Sequence, residues 1–402
     1  MIRTALGIFA FSPLLVLATP IATLEQQLEV LRQQLILQNR ALHELQNELD
    51  AAKITEATAA NGGVVQLSQQ PSADDPSSLQ RSPSSSRSTE DFLLEKHTVF
   101  DRRWVFDFGL NYQHYDRKDL ALRGFLALDA IFLGVINVDR VRSNQWVADL
   151  TTRYTFNQDW QLELQLPYVM RESNYQSTGK ENDSKSLEEV AISSNAIGDI
   201  SLASYYHVMN ETGNWPDLVW NLRVKAPTGK DPYGITFDYT ESGNIQSPSE
   251  LATGDGLWQI STGFSAVKTL DPAILFMSVN YGTSLKDEFD DISSAQGKQP
   301  GNVKLGDWFE YGFGLAFALN ERLSLSFNIN QRLTQESKLD QTDALGQTSF
   351  KKVVGSEGNA ATFGMGSTWA MTDALSLGIN WSVGLTQDAP DFSIGLRLPY
   401  RF

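Results

Sequence analysis

The chain closes with DALSLGINWSVGLTQDAPDFSIGLRLPYRF, residues 373–402. From Leu375 to Leu385 the large apolar side chains fall on every second residue, and serine, glycine and asparagine fill the positions between them. The same two-residue period returns from Phe392 to Phe402, where the chain stops on an aromatic residue. Successive side chains of a β-strand point to opposite faces. Each half of the stretch therefore predicts a strand with one apolar face and one small or polar face.

The position of Phe402 separates two kinds of β protein. In a soluble sandwich the apolar face would meet a second sheet, and a free C-terminus would usually trail off in polar residues. Here the chain ends within its own apolar register. We therefore expect the closing strand of an outer-membrane β-barrel, in which Phe402 resembles the signal that the barrel-insertion machinery reads.

Length and composition narrow the class of protein further. At 402 residues the chain is long enough for one large barrel plus an appendage. It has no cysteine, which removes disulfides and thiolate chemistry, and its net charge of −16 argues against a nucleic-acid partner. Its mean hydropathy of −0.26 is compatible with a membrane barrel, because a spanning strand is apolar only at alternate positions.

Residues 1–22 predict a secretory signal peptide. Arg3 supplies the positive charge, and the stretch from Ala5 to Leu17 is almost wholly apolar but too short to span a membrane. Cleavage is expected after Ala18 or after Ala22. A signal peptide and a closing strand together indicate the outer membrane of a diderm bacterium, with the segment before the barrel in the periplasm.

Residues 23–53 carry a heptad pattern. Leucines recur at alternating intervals of four and three residues, with one glutamine among the core positions. This spacing predicts an α-helical coiled coil, and a parallel homotrimer is favoured over a dimer. The alternative is an amphipathic helix lying on the membrane or on the barrel, which the mixed polar face disfavours. The predicted core consists of Leu24, Leu28, Leu31, Leu35, Gln38, Leu42, Leu45 and Leu49.

Two further segments separate the coil from the first strand. Residues 54–89 are rich in serine and proline and predict a flexible linker. Residues 90–101 begin with acidic side chains, which favour a helix start, and continue with Phe92, Leu93 and Leu94. This short helix could sit outside the barrel or fold back into its mouth as a plug.

Residues 102–402 predict an all-β transmembrane barrel of about twelve antiparallel strands. Each predicted strand has the two-residue period and about ten residues, the length that crosses a bilayer when tilted. Short turns alternate with long connections, as in outer-membrane barrels, where the short turns face the periplasm. The predicted strands start at Trp104 and continue with 145–156, 159–172, 198–209, 217–226, 257–268, 273–282, 308–319, 322–333, 360–371, 374–385 and 392–402.

The inward positions of these strands carry charges of both signs among many small polar residues. Such a lining predicts a wet lumen without a strong filter for anions or cations, although charged residues inside a barrel can also be ion-paired wall. The predicted lumen residues are Asp149, Arg153, Glu163, Asp199, His207, Arg223, Lys225, Glu310, Arg397 and Arg401.

Catalytic and cofactor patterns are not found in the sequence. The four histidines, His43, His97, His114 and His207, form neither a metal-ligand cluster nor an HxxEH pair. There is no GxSxG sequence and no phosphate-binding loop. We therefore expect no enzymatic activity, no metal and no cofactor.

The sequence KAPTGKDPYG, residues 225–234, leaves a strand through a Pro-Thr-Gly turn and an Asp-Pro turn. It resembles the recurring motif of the outer-membrane barrel family named for a meta-pathway of phenol degradation. The order of parts, from signal and coil to linker, short helix and twelve strands, is similar to the outer-membrane transporters of Fap functional-amyloid secretion systems in pseudomonads. The resemblance implies a pore for unfolded amyloid subunits, gated by a trimeric periplasmic coil (residues 24–52) and by a plug at about residues 90–97.

Three functions compete at this point. The first is an outer-membrane channel that exports extended polypeptide and is gated by its N-terminal segment. The second is a passive uptake channel for aromatic or other hydrophobic small molecules, which predicts an apolar ladder in the lumen or a lateral opening in the wall. The third is a coiled-coil envelope tether or adhesin, with the barrel as an anchor. The expected partners are outer-membrane lipid, two further copies of the chain, the secreted polypeptide and the barrel-insertion machinery.

Overall fold

The structure, a computed structural model, describes residues 87–97, 100, 103–123, 135–178, 187–239, 246–270, 273–292, 298–342 and 347–402. The predicted signal peptide (1–22), the predicted coiled coil (23–53) and all but the last three residues of the predicted linker (54–89) lie outside the described residues. These three assignments therefore stay predictions.

The described chain consists of one helix and nineteen strands. The elements are α1 Arg87–Glu95, β1 Trp104–Arg123, β2 Val135–Thr155, β3 Trp160–Thr178, β4 Leu187–Ile197, β5 Ser201–Met209, β6 Asp217–Lys225, β7 Phe237–Tyr239, β8 Gln246–Pro248, β9 Gln259–Leu270, β10 Ala273–Ser284, β11 Asp287–Phe289, β12 Gly301–Lys304, β13 Trp308–Ala318, β14 Leu323–Thr334, β15 Lys338–Thr342, β16 Thr348–Lys352, β17 Gly358–Ala370, β18 Ser376–Gly384 and β19 Phe392–Arg401. Among the described residues no helix is long and apolar enough to cross a membrane.

A closed antiparallel barrel of twelve wall strands forms the body of the protein. Thirteen strands make one sheet, but β4 and β5 are two halves of a single wall strand, since both pair with β3. The sheet closes because β1 pairs with β2 on one side and with β19 on the other. At the closing edge the Phe402 backbone N–H donates a hydrogen bond to the Trp104 carbonyl at 3.0 Å. The predicted fold class and its twelve strands are confirmed.

The apolar and polar residues that alternate along each strand form the outer and the inner surface of the wall. On β19 the side chains of Ile394, Leu396 and Leu398 are exposed on the outside, although all are apolar. On the inward face of the neighbouring β1, Asp107 is almost completely buried. Exposed apolar side chains on every second residue, with polar ones inside, are the signature of a lipid-facing barrel. The barrel is therefore of the outer-membrane type.

Three wall strands extend well beyond the length needed to cross a bilayer. Strands β1, β2 and β3 have 20, 21 and 19 residues, about twice the span of a tilted strand. Residues 113–144 and 173–197, which fall between the predicted strands and were expected to be long connections, belong to β1–β4 wherever they are described. Tyr115, Val141 and Tyr175 explain the difference, because they are almost completely buried on the inner side of this extension.

The remaining long connections fold into a small cap. Strands β11, β12, β15 and β16 form a four-stranded sheet, and β7 pairs with β8. Leu257, Ile292, Val303 and Leu305 form a buried apolar cluster beside that sheet. The long connections that contain β11, β12, β15 and β16 therefore have a hydrophobic core of their own.

Candidate functional site

The segment before the first wall strand lies inside the barrel. Phe92 of α1 packs against Val267 on β9, Ile274 on β10 and Ala316 on β13. His97 contacts β3 and β5, and Glu95 contacts Arg397 on β19. These partners face inward and are distributed around the ring, so residues 87–97 and 100 lie in the space enclosed by the wall. We call this space the lumen and this stretch the plug segment.

The predicted plug residues take different positions in this arrangement. Phe92 is 2 % exposed and Leu94 is 9 % exposed, while Leu93 is partly buried beside them. The helix starts at Arg87, three residues before the start of the predicted segment 90–101. That these side chains shut the pore stays a prediction.

Local chemistry determines where α1 begins and ends. Glu90 lies in its first turn, where a negative charge is favourable. At the other end the Lys96 N–H donates to the Phe92 carbonyl, and His97 adopts a positive φ of 58°. This left-handed conformation stops a helix. The chain then turns, and the ring of His97 is directed at the wall.

The His97 side chain contacts two strands of the wall, β3 and β5. Its ring lies parallel to the Tyr205 ring, with centroids 3.8 Å apart. Its Nδ1 atom is 2.9 Å from Oε1 of Gln161, and its Nε2 atom is 3.6 Å from Oε2 of Glu163. Phe100 follows and packs against Ala203, Tyr205 and Val219. The plug segment is therefore held at two places, by Phe92 on one side of the lumen and by His97 and Phe100 on another.

A buried ionic network lies beside these contacts. Glu163 accepts hydrogen bonds from Arg153 Nε at 2.9 Å and from Arg223 at 2.7 Å. Asp107 pairs with Arg397, and its carboxylate is 3.7 Å from the Arg153 guanidinium. Removing one partner of a buried pair leaves an uncompensated charge. Removing any one of these charged side chains should therefore destabilise the network.

The structure brings some predicted lumen residues together and separates others. Arg153, Glu163, Arg223 and Arg397 belong to the network beside the plug segment. Asp199 and Lys225 form a second group at 3.5 Å. The remaining members have separate neighbours: Asp149 with Asn111, His207 with Asp217, Glu310 with Arg332, and Arg401 with Ser376.

Sequence reasoning missed several of the partners. Asp107 lies on an inward position of β1, which its alternation with Phe106 and Phe108 could have revealed. Glu95 and His97 carried no comparable signal, because a short helix can direct a side chain to any part of a lumen. Tyr205 lies two residues before His207, on the same face of the strand, and could also have been assigned to the inner face.

Most of these contacts lie near one end of the barrel. We call the end with the short connections, such as 318–323 and 370–376, the turn end, and the opposite end the loop end. Ile274 and Phe276 are close to the start of β10 at the turn end. A cavity of about 580 Å³ lies further towards the loop end and is lined by Asn221, Arg223, Asn280, Trp308 and Arg332, among others. A second cavity of about 580 Å³ opens at the turn end beside Phe100, Asp159 and His207.

The motif at residues 225–234 fastens an interruption in the wall. Between β4 and β5 the ladder breaks at Gly198–Ile200. Thr228 Oγ1 accepts a hydrogen bond from the Ile200 N–H at 2.9 Å and donates one to the Gly198 carbonyl at 2.8 Å. The Asp199 carboxylate accepts hydrogen bonds from the Gly229 and Asp255 N–H groups at 3.0 and 2.9 Å. The Pro-Thr-Gly turn thus supplies the hydrogen bonds that the broken strand lacks.

In the part of the chain that the structure describes, no group of three or more His, Asp or Glu side chains could hold a metal ion. His207 lies 2.5 Å from Asp217, without a nucleophile in the same group of contacts.

Comparison with solved structures found outer-membrane proteins of low sequence identity. No family model matches the chain. Among solved structures, an outer-membrane channel from Pseudomonas putida is 15 % identical, with a TM-score of 0.47, and the match covers 74 % of this chain and 95 % of that one. A deletion mutant of the TodX monoaromatic hydrocarbon channel is 11 % identical, with a TM-score of 0.39 and coverage of 79 % and 93 %. The translocator domain of the autotransporter NalP from Neisseria meningitidis is 10 % identical, with a TM-score of 0.39 and coverage of 74 % and 88 %.

The strand pairing and the lipid-facing wall define the class of protein as a twelve-stranded β-barrel of the outer-membrane type. Within that class, this chain is a barrel with a helical segment inside its lumen.

Proposed function

We propose that the protein is an outer-membrane channel that passes extended polypeptide from the periplasm to the cell surface. The plug segment 87–100 is its gate. One observation carries this proposal: the residues directly before the first wall strand cross the lumen near its turn end and are held by side-chain contacts.

The contacts of the plug segment suit a reversible gate. Burial of one phenylalanine contributes about 1.5–3 kcal/mol, and partly exposed ion pairs such as Glu95–Arg397 contribute about 1 kcal/mol or less. A segment that was joined to a wall strand by backbone hydrogen bonds would instead be part of the sheet and would not be released easily. Release would move residues 87–100 out through the turn end, which lies in the periplasm because short turns face that side.

The predicted N-terminal parts complete this proposal. The linker (54–89) would let the plug segment leave while the coil (23–53) stays in the periplasm as a homotrimer. The secreted polypeptide would be a subunit of the functional-amyloid kind that the sequence resemblance implies. Phe402 would address the chain to the barrel-insertion machinery.

A disulfide lock tests the gate. The natural chain has no cysteine, so Phe92→Cys with Ala316→Cys introduces the only pair. In planar bilayers, single-channel conductance should be low when the pair is oxidised or joined by a short dithiol linker, and should rise on reduction. The two single-cysteine variants are matched controls and should not respond to redox conditions. Equal conductance of locked and reduced protein would contradict the gate, and a protein that conducts in no state would favour the tether or adhesin.

A second candidate, an uptake channel for hydrophobic small molecules, is favoured by one observation. The wall is interrupted at Gly198–Ile200, where a lateral opening could form. Against it, Thr228 and Asp199 bridge the interruption, and the cavity beyond it is lined mostly by polar side chains. Uptake would be supported if cells that produce the protein accumulate a radiolabelled monoaromatic compound. Cross-linking residues 198–200 to the neighbouring strand should then abolish the accumulation.

A further inference from the structure

Strand β4 has one side that no described strand covers. The order of the thirteen-stranded sheet ends with β4, which pairs with β3 and with no other described strand. Its continuation β5 still pairs with β6, as far as Ser201 and Lys225. The chain then leaves the wall through the Pro-Thr-Gly turn, so β4 loses the neighbour that β5 has.

The backbone of β4 directs alternate residues to this open side. The Gly198 N–H donates a hydrogen bond to the Pro167 carbonyl on β3 at 2.9 Å. The preceding carbonyl, that of Ile197, instead accepts one from the Thr253 hydroxyl at 3.1 Å. Residues of an antiparallel strand alternate between the two sides, and β4 pairs with β3 without a change of register. The residues whose N–H and C=O groups face the open side, which we call the β4 edge, are Glu189, Ala191, Ser193 and Asn195.

Charge does not protect the β4 edge. The side chains along it are exposed, and the strand has neither a charged residue nor a proline from Val190 to Ile197. Strand β1 also has an open edge, because its pairing with β19 stops at His114. There the chain continues with the charged residues 116–118. Charges and prolines are what usually prevents a strand from being added to an edge, so β4 is the better template of the two.

Most of the β4 edge stands above the membrane. On the outer face of β3 the exposed apolar side chains end with Met170, about ten residues from the turn end, which is the length that crosses a bilayer. Ser193 lies opposite Glu172, one outward position beyond Met170, and Ala191 and Glu189 follow towards the loop end. These three residues of the edge therefore lie outside the hydrocarbon region.

The lumen leads to the base of this edge. The cavity on the loop-end side of the plug segment is lined by Val169 and Arg171 on β3 and by Gly198, directly after β4. An extended polypeptide that leaves this cavity passes the β4 edge. A second copy of the protein fits less well, because the β4 strands of two barrels in one membrane run in the same direction. They would pair in parallel, the less stable arrangement.

The side chains beside the edge determine which strand fits. Glu172 and Glu189 are exposed on the outer face, and the Glu189 carboxylate accepts a hydrogen bond from Asn174. Ala191 and Ser193 between them are small and uncharged. Cross-strand pairs of opposite charge stabilise a sheet, and like charges destabilise it. The added strand should therefore be largely uncharged, with a lysine or arginine on its outer face.

We propose that the β4 edge binds an extended segment of the exported polypeptide as an added strand, with a basic side chain beside Glu172 and Glu189. This inference rests on the proposed export function and adds a docking site at the loop end. Main-chain hydrogen bonds supply the attraction in such strand addition, and side chains at alternate positions supply the specificity.

The test uses the full chain in detergent, with its plug segment in place. Ala191→Pro removes an N–H group from the β4 edge, and Ala191→Lys adds a charge there but keeps every backbone group. Residue 191 is exposed, and if one variant fails to fold the other still reports. Lys118→Pro, at an exposed residue on the open edge of β1, is the matched control.

Three fluorescent peptides of about nine residues, a length typical of a strand, serve as probes. The first consists of Thr, Gln and Ser with a central Lys, the second has a central Glu, and the third is the Lys peptide with alternate backbone nitrogens methylated. Affinities are measured by fluorescence anisotropy. Both Ala191 variants should weaken binding of the Lys peptide about tenfold, and Lys118→Pro should not. The Glu peptide should bind up to about fivefold more weakly, and the methylated peptide should not bind.

Cross-linking locates the bound strand. The natural chain has no cysteine, so Ser193→Cys introduces a single thiol at the β4 edge, and Lys118→Cys introduces one at the β1 edge. A Lys peptide that also carries a cysteine should form a disulfide with Ser193→Cys much faster than with Lys118→Cys.

Three results would overturn the inference: unchanged affinity in both Ala191 variants, equal affinity of the methylated peptide, or equal cross-linking at the two edges. Self-association of the natural protein that Ala191→Pro abolishes, without peptide binding, would overturn it in favour of a second copy. The proposed function is judged separately, by the conductance of the disulfide-locked channel. Peptide binding at the β4 edge does not need an open lumen, so either proposal can fail alone.

Discussion

The Glu95 carboxylate of α1 lies 3.7 Å from the guanidinium of Arg397 on β19. The same arginine pairs with Asp107 on β1, across the edge where the barrel closes. One side chain therefore contacts the plug segment and joins the first and last wall strands. The site for Glu95 exists only after β1 and β19 have paired, so the barrel must close before the plug segment can dock completely.

Glu95→Gln should make opening more frequent without changing the open conductance. The pair is partly exposed, and such pairs contribute about 0.2–1 kcal/mol, which corresponds to an increase in opening frequency of about 1.4-fold to fivefold. Single-channel recordings provide the measurement. Glu336→Gln, which removes a partly exposed pair with Lys352 in the cap, is the control. An equal effect of both substitutions would contradict a role of Glu95 in docking.

Phe92→Asp should release the plug segment. The change removes a ring packed against Val267, Ile274 and Ala316 and places a carboxylate among them, at a cost of about 3–5 kcal/mol. The channel should then be open most of the time. Phe350→Asp in the cap strand β16 makes the same chemical change away from the lumen and should keep the closed state. A closed Phe92→Asp channel would show that something other than this contact shuts the pore.

Acid should open the gate through His97. Burial, with Arg153 nearby, lowers the pKa of His97 to about 3 from an ordinary value of about 6.5. The docked state therefore needs the neutral ring, and its stability is complete above pH 6.5 and is lost as the pH falls towards 3. Each pH unit in this range costs up to about 1.4 kcal/mol of docking free energy.

Opening frequency should accordingly rise by up to about twentyfold between pH 7 and pH 5 on the periplasmic side. His97→Gln keeps a neutral polar side chain and should remove this dependence. If the variant responds to pH as the natural protein does, another group is responsible.

Thr228→Val should weaken the wall at its interruption. The hydroxyl accepts a hydrogen bond from the Ile200 N–H and donates one to the Gly198 carbonyl. Because the first of these bonds is exposed to solvent, their loss should cost about 0.5–1.5 kcal/mol. The folded barrel should convert to its unfolded form on SDS gels at a lower temperature. Thr228→Ser keeps the hydroxyl and should behave like the natural protein. Identical melting of the two variants would mean that water replaces the hydroxyl without loss.

Gly395→Ala should push a carboxamide into the lumen. Its Cβ would lie 2.5 Å from Oδ1 of Asn111 and meets no backbone atom at close range, so the flexible side chain must move. In the Phe92→Asp background the open conductance should fall measurably, with a stability cost of about 1 kcal/mol. Gly213→Ala has open space around its Cβ and is the control. Unchanged conductance would show that Asn111 finds another place along the wall.

The sequence alone determined the wall of this barrel. All twelve wall strands, and the outward side of residues such as Trp381 and Leu396, follow from a two-residue period, because the direction of a strand side chain depends only on its own backbone. Sequence also assigned the inward side to Arg153, Glu163 and Arg397. Local sequence patterns also predict the signal peptide, the coil and the linker, and these three assignments stay predictions.

Only the tertiary structure decided what the inside of the barrel contains. The pairing of Arg397 with Asp107, the contact of His97 with Tyr205 and the placement of Asn111 over Gly395 join residues far apart in the chain. The extensions of β1–β3 and the fastening of Gly198–Ile200 by Thr228 depend in the same way on distant partners. The physical reason is register: a strand's period fixes which face a residue takes, but the partner opposite it is set only when the whole ring of strands has closed.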